Sequence, residues 1–357
     1  MKRFWRRTAV LLFLIAAGLS ATVIRQNREL ERLRKENERL LAPAEGVWQK
    51  LARGQEIRVL VIGDSIGAGT GASEGMGWAE QLKQALSEKY GSIVNVDNAS
   101  LGATTSYAGY VQVMLGGEDV PYDLAIVCYG HNDDEKGFSR EYESILHAIR
   151  SKYPSAAILP ILESSQREYT AKIREIQDLS AHYGLMVSDM IGAFSESGAS
   201  YESLTADGVH PNDAGYALYC DTLMKAVSAR ADSYEAYEKQ ETSPVNENME
   251  EFDHFYYIPK EACIPSDDGL SLTIPFSAEM TGKPGLDLDL VFSTGITLEV
   301  DGNPFYSGEI QWTQGYRLHN IIRLGDRECR IRQSVTLRFT SREAADGFRG
   351  LVFTGVR

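Results

Sequence analysis

A serine, a histidine and an aspartate in this chain have the residue types and local settings that acyl transfer uses. Ser65 lies in Gly63-Asp64-Ser65-Ile66-Gly67, directly after the apolar run Val59–Ile62. It therefore stands at the carboxyl end of a strand, where open α/β sheets bind ligands. A serine hydroxyl is a poor nucleophile until a neighbouring base takes its proton, so this position needs an imidazole and an orienting carboxylate from elsewhere. Asp207-Gly208-Val209-His210-Pro211 offers both on one loop. Two intervening residues let Asp207 fix the tautomer of His210 and stabilise its charged form. Acyl transfer also needs donors aimed at the developing oxyanion. Asn132, in Gly130-His131-Asn132-Asp133 after the run Leu124–Cys128, offers a side-chain amide, and Ser65 and Gly102 offer backbone N–H groups.

These residues must be carried by alternating strands and helices. Five short apolar runs, Val59–Ile62, Ile93–Val96, Leu124–Cys128, Ala157–Ile161 and Met186–Ser188, read as strands of a parallel sheet covered on both faces. Between them Trp78–Tyr90, Arg140–Lys152, Thr170–Tyr183 and Asp213–Ala229 carry apolar residues at helical spacing. Pro211 is expected to start the last helix. The pattern predicts an α/β fold, a three-layer αβα domain over residues 55–237.

A polar, acidic stretch over 238–251 reads as a linker, and residues 252–357 as a second domain. There Leu270–Ile274, Leu286–Phe292, Ile296–Val300, Val335–Thr340 and Leu351–Thr354 alternate or are rich in β-branched and aromatic residues. Turns such as Asp301-Gly302-Asn303-Pro304 separate them, and the expected architecture is an antiparallel β-sandwich.

At the start, Lys2, Arg3, Arg6 and Arg7 precede an uncharged stretch from Thr8 to Ile24, the order of an export or anchor signal. Its length favours an uncleaved membrane helix over residues 1–24, with the rest of the chain extracytoplasmic; secretion after cleavage is the alternative. Val23, Leu30 and Asn37 alternate with Gln26, Leu33 and Leu40 as heptad positions. Residues 25–42 thus read either as a short coiled-coil stalk, giving a homodimer through 23–41, or as a solvated single helix.

With 357 residues, 43% hydrophobic and 24% charged, the chain has an ordinary globular composition. A net charge of -14 argues against general nucleic-acid binding. The four cysteines and six histidines show no zinc-type spacing, so no metal and no cofactor is expected. Cys128 and Cys220 suit buried positions, whereas Cys263 and Cys329 share the C-terminal domain and a disulfide between them is chemically open. The run Gly67-Ala68-Gly69-Thr70-Gly71-Ala72 matches a dinucleotide-binding pattern, but no helix begins within the glycines. It is read as a flexible wall of the cleft.

Taken together, Gly63-Asp64-Ser65, Gly102, Gly130-His131-Asn132-Asp133 and Asp207-Gly208-Val209-His210 resemble, in order, the four blocks of the SGNH (GDSL-type) hydrolases. The resemblance covers roughly residues 57–230 and implies a flavodoxin-like fold and ester hydrolysis. It places Ser65, Asp207 and His210 in a catalytic triad and Ser65, Gly102 and Asn132 in the oxyanion hole. One departure concerns Asn98, which precedes Gly102 by four residues rather than the usual five, so Ala103 is an alternative donor. The expected activity is a serine esterase removing small acyl groups, acetyl first, from an extracellular or cell-wall carbohydrate. Polysaccharide O-acyl transfer by the same triad and a non-catalytic envelope scaffold are the alternatives. Trp312, Tyr316 and Tyr306 are candidates to stack on sugar rings or, equally, to be core.

Overall fold

The computed structural model describes residues 46–117, 121–233, 243–312 and 317–356. The expected anchor, the stalk and Tyr316 lie outside them. In the first region α1 (Val47–Ala52) precedes β1 (Ile57–Gly63). Then follow α2 (Trp78–Tyr90), β2 (Val94–Asn98), α3 (Ser106–Leu115), β3 (Leu124–Cys128), α4 (Phe138–Lys152), β4 (Ala157–Leu162), α5 (Ala171–His182), β5 (Ser188–Asp189), α6 (Met190–Glu196) and α7 (Asp213–Asp232). The five strands form one sheet in the order β2-β1-β3-β4-β5, with parallel pairing throughout. This is the flavodoxin-like order, in which ligands bind outside the carboxyl ends of the strands near β1 and β3.

The sheet is apolar on both faces because helices cover both. β3 and β4 are buried along their whole length. One face packs under α3, α4 and α5, with Tyr107, Tyr110, Tyr142 and Ile145 in its core, and the other under α1, α2 and α7, with Trp78, Tyr216 and Leu223. Helix α7 starts at Asp213, after Asn212, whose Oδ1 accepts from the N–H groups of Ala214 and Gly215 at 3.1 Å each. The helix therefore begins two residues later than Pro211, which instead bridges Thr205 in the preceding loop.

The C-terminal region holds β6 (Phe255–Pro259), β7 (Ile264–Pro265), β8 (Ser271–Pro275), β9 (Met280–Leu290), β10 (Thr294–Val300), β11 (Asn303–Ile310), β12 (Leu318–Arg323), β13 (Cys329–Ile331), β14 (Ser334–Phe339), α8 (Arg342–Gly347) and β15 (Phe348–Thr354). Two antiparallel sheets, β11-β10-β14-β8-β7 and β12-β9-β15-β6, enclose a shared core that includes Leu286, Leu298, Leu337 and Phe353. Asp301 (φ 51°) and Gly302 (φ 76°) make the two-residue turn between β10 and β11, with both positive φ values that a tight hairpin of right-handed twist demands. Helix α8 interrupts what the sequence suggested was a wholly β region. The four cysteines are separate thiols, with Cys329 buried and Cys263 half-buried.

The segment after residue 242 is bound to the α/β layer rather than free. The carboxylate of Glu143, fully buried on α4, accepts from the N–H groups of Val245 and Asn246, at 2.6 and 2.9 Å. Met249 and Phe252 then enter the α/β core, and Tyr110 donates to the Phe252 carbonyl. Composition alone suggested a linker because polar residues dominate, yet here backbone donors satisfy a buried acid.

An ion cluster joins the sandwich to the α/β layer. Glu251, with its side chain 10% exposed, pairs with Arg140 of α4 at 2.6 Å, Lys283 of β9 at 2.5 Å and Arg323 of β12 at 3.7 Å. Arg323 also lies over the Tyr107 ring of α3, 4.9 Å from its centroid. Burial raises the Glu251 pKa, but the bonds from Lys283 and Arg140 outweigh it and hold the group below the usual glutamate range. Its contribution to stability is therefore complete above that range and is lost as pH falls through the depressed value. Replacing Glu251 by Gln takes the counter-charge from Arg140 and Lys283, while Arg323 keeps Glu141 and Asp326 at 3.3 and 3.0 Å, and is expected to cost about 3 kcal/mol at neutral pH. Urea denaturation of both proteins checks this: the gap should narrow in acid, and an equal gap at neutral and acid pH refutes the assignment.

Candidate active site

Ser65 lies two residues past the end of β1 and is 9% exposed. Its loop is fixed from below. The indole N–H of Trp78 donates to the Ile66 carbonyl at 2.9 Å, and the Tyr216 hydroxyl donates to the Thr70 carbonyl at 2.8 Å. Asp64, fully buried, turns back to accept from the Ile66 N–H at 2.8 Å. The serine thus sits at the end of a rigid strand on a loop held by side chains from two helices, which limits the entropy lost in aligning it.

His210 reaches it from a loop 145 residues away in sequence, its Nε2 2.8 Å from Ser65 Oγ. Asp207 Oδ2 lies 2.7 Å from His210 Nδ1, and Asp207 Oδ1 accepts from the backbone N–H groups of Val209 and His210 at 3.0 and 2.8 Å. The spacing of three residues works because the aspartate closes a turn on its own backbone while its second oxygen meets the ring. A carboxylate can only accept, so the proton sits on Nδ1 and Nε2 is left to accept from the serine hydroxyl. Burial nudges the Asp207 pKa upward, but the bonds from the His210 ring and backbone dominate and bring it to about 2. Asp207 is therefore ionised throughout the neutral range.

The glycine run does more than line a cleft. Gly71 has φ +97°, and a Cβ there would lie 2.6 Å from the Pro211 carbonyl oxygen and 3.0 Å from His210 Cβ. Gly71 is thus the floor on which the histidine loop rests, a packed contact and not a flexible wall. Gly71→Ala is expected to lower kcat by about 10-fold or more by pushing His210 off the serine, the scale of losses from misplacement by about an ångström. Steady-state kinetics with a melting curve test this; full activity in a stable variant refutes it.

On the oxyanion side, Gly102 lies beside the serine: an ideal Cβ on it would be 3.8 Å from Ser65 Cβ and 3.5 Å from Leu318 Cδ1 of β12. Ala103 follows with φ 55°, and its carbonyl accepts from the Asn320 side chain at 3.3 Å. Asn98 donates to the Gly67 carbonyl at 3.0 Å and so ties this loop to the serine loop. The Asn132 amide nitrogen faces two acceptors, Asp64 Oδ2 at 3.1 Å and the Thr104 carbonyl at 3.0 Å. Donation from Asn132 to an oxyanion accordingly needs one of those hydrogens to be shared or exchanged.

Several contributors carry no sequence signal. Lys172 of α5, buried, donates from Nζ to the carbonyls of Gly130 at 2.5 Å and Asp133 at 2.6 Å, and so holds the loop that bears Asn132. Asp133 accepts from the Ser106 N–H at 2.8 Å and so anchors the start of α3. Arg167 donates to the Gly208 carbonyl at 3.2 Å and stacks on Tyr201, buttressing the histidine loop. Burial, with Lys172 nearby, lowers the pKa of His131, in keeping with a structural role beside Asn132. Trp312 and Tyr306 pack against the sandwich core, the structural alternative for those aromatics. No group of histidine, cysteine and acidic side chains suited to a metal ion occurs among the described residues.

Residues 61–218 match the model of the GDSL-like Lipase/Acylhydrolase family. The α/β region is that of a GDSL-type esterase. A curated relative, Esterase TesA of Pseudomonas aeruginosa, is 28% identical over 160 residues, covering 43% of this chain and 79% of its own. Among solved structures, a two-domain esterase active on acetylated mannans aligns with TM-score 0.66 at 15% identity, over 88% of this chain and 96% of the other. The same two-domain esterase co-crystallised with mannopentaose aligns with TM-score 0.64 at 16% identity, over 91% and 96%. At such identities the likeness is one of fold, and it extends through the GDSL-type region and the sandwich together.

Proposed function

We propose that this GDSL-type esterase removes small acyl groups, acetyl foremost, from a carbohydrate outside the cytoplasm, with Ser65 as nucleophile, His210 as base and Asp207 as its orienting carboxylate. The observation that carries the chemistry is the line of contacts from Ser65 Oγ to His210 Nε2 and from His210 Nδ1 to Asp207. His210 takes the hydroxyl proton as Oγ adds to the ester carbonyl. The N–H groups of Ser65 and Gly102 and the Asn132 amide receive the oxyanion, and the protonated imidazole returns the proton to the departing sugar oxygen. Water then repeats the sequence on the acyl-serine.

The carbohydrate assignment is supported by the two-part architecture shared with an esterase active on acetylated mannans. The extracytoplasmic placement is supported by the basic start and the uncharged stretch that follows it. Acetate release from acetylated mannan and from p-nitrophenyl acetate tests both halves of the reading. Ser65-dependent release from both supports it; release from the small ester alone overturns the polysaccharide assignment.

A further inference from the structure

Beneath the serine the carboxyl ends of three adjacent strands bring acids together: Asp64 after β1 and Glu163 after β4, with Cys128 closing β3 between them. Asp64 and Glu163 are both fully buried and close enough that each shifts the titration of the other. Two carboxylates cannot bond without a proton, because each could only accept. The roles are assigned by what else each oxygen meets. Asp64 already accepts from the Ile66 N–H and the Asn132 amide, the pattern of an ionised group. Glu163 Oε1 accepts from the Cys128 thiol at 3.4 Å, whereas its fully buried Oε2 has no hydrogen-bond partner among the described residues. A proton on Glu163 turns that orphaned oxygen into a donor and removes the anomaly.

We propose that Glu163 is a positioning residue: its carboxyl stays protonated under the serine and donates to Asp64, so that the Asp64 carboxylate holds the Asn132 amide on the oxyanion side of Ser65. This rests on the esterase reading given above. The surroundings favour retention of the proton. Asp133 adds negative charge, and the phenols of Tyr129, Tyr142, Tyr216 and Tyr219 around the pair are neutral, pushed up by burial. The Cys128 thiol is likewise held neutral by burial. Lys172, the buried cation of the region, is committed to main-chain carbonyls. Burial raises both acids, Asp64 to about 7 and Glu163 well above the usual glutamate range. The arrangement separates two tasks: a neutral acid fixes an anionic one, and the anionic one orients a neutral donor without placing a second charge near the oxyanion.

The test pairs spectroscopy with kinetics on the full chain. Infrared difference spectra in mildly alkaline buffer should show a carboxylic-acid C=O band in the native enzyme that disappears in Glu163→Gln. Glu163→Met, which cannot donate, should lose about 10- to 100-fold in kcat on p-nitrophenyl acetate with KM within about threefold, approaching the loss of an oxyanion donor. Glu163→Gln, whose amide can donate to Asp64, should recover most of that loss. Absence of the band in the native enzyme, its persistence in Glu163→Gln, or native kcat in a folded Glu163→Met overturns the proposal. If Glu163→Met does not fold, the band in the other two proteins decides. The spectra do not depend on turnover, so failure of the esterase reading, seen as Ser65-independent activity, is distinguished from failure of this one.

Discussion

Ser65→Ala is expected to fold as the native enzyme does and to lose about 10^5-fold or more in kcat on any ester, the scale seen when a serine nucleophile is removed from an intact triad. The size of the effect follows from what is left. Without Oγ no acyl-enzyme forms, and the donors at Ser65 N–H, Gly102 and Asn132 can only polarise a carbonyl for direct attack by water. Stability should change by about 1 kcal/mol or less, since the substitution deletes one hydroxyl whose partner, the His210 side chain, is 22% exposed. Two measurements check the claim: steady-state rates against the native enzyme, and mass spectrometry after treatment with a fluorophosphonate. The native chain should carry the adduct on Ser65 and the variant should carry none. A variant with a native rate, or an adduct on another serine, removes the nucleophile from the mechanism.

The parts of this site that were legible in the sequence are those whose chemistry is written locally. Asp207 and His210 share a loop, and Ser65 and Asn132 each follow an unbroken apolar run, so placing the runs in one parallel sheet places the side chains at one edge. The runs were visible because strands buried on both faces have no polar alternation to blur them. Helix α3 escaped notice for the opposite reason: Ser106 to Val111 are all buried, so no polar face marks a helical period. Edge strands such as β11, half exposed and containing Pro304 and Gly308, were equally silent. Glu163 and Lys172 were illegible in principle. A lone glutamate after a strand or a lysine on a helix reads as a solvated charge, and only burial shows that each is held inside for its hydrogen bonds. The contact of β12 with Gly102 depends on how two regions pack, which no local pattern encodes.

The second large effect is expected from Asp207→Asn, and it separates orientation from charge. The substituted amide keeps an oxygen that can still accept from the Val209 and His210 backbone N–H groups, so the turn should survive. Its NH2, however, now faces His210 Nδ1 and donates to it, which moves the ring proton to Nε2. A protonated Nε2 cannot accept from Ser65 Oγ, and the base is lost although every heavy atom stays in place. Loss of the negative charge also removes stabilisation of the imidazolium formed during attack. In a buried triad the combined loss is about 10^4-fold in kcat. Here Asp207 has 55% of its side chain exposed, so water competes for the amide and screens the missing charge, and a fall of about 10^3-fold is the expected result. Asp207→Ala, which removes the turn as well as the carboxylate, should be no more active than Asp207→Asn. Rates of both variants on p-nitrophenyl acetate, with the His210 tautomer read by nitrogen NMR, decide the matter. A ring that keeps its proton on Nδ1 in Asp207→Asn with near-native kcat would show that this aspartate does not set the state of the histidine.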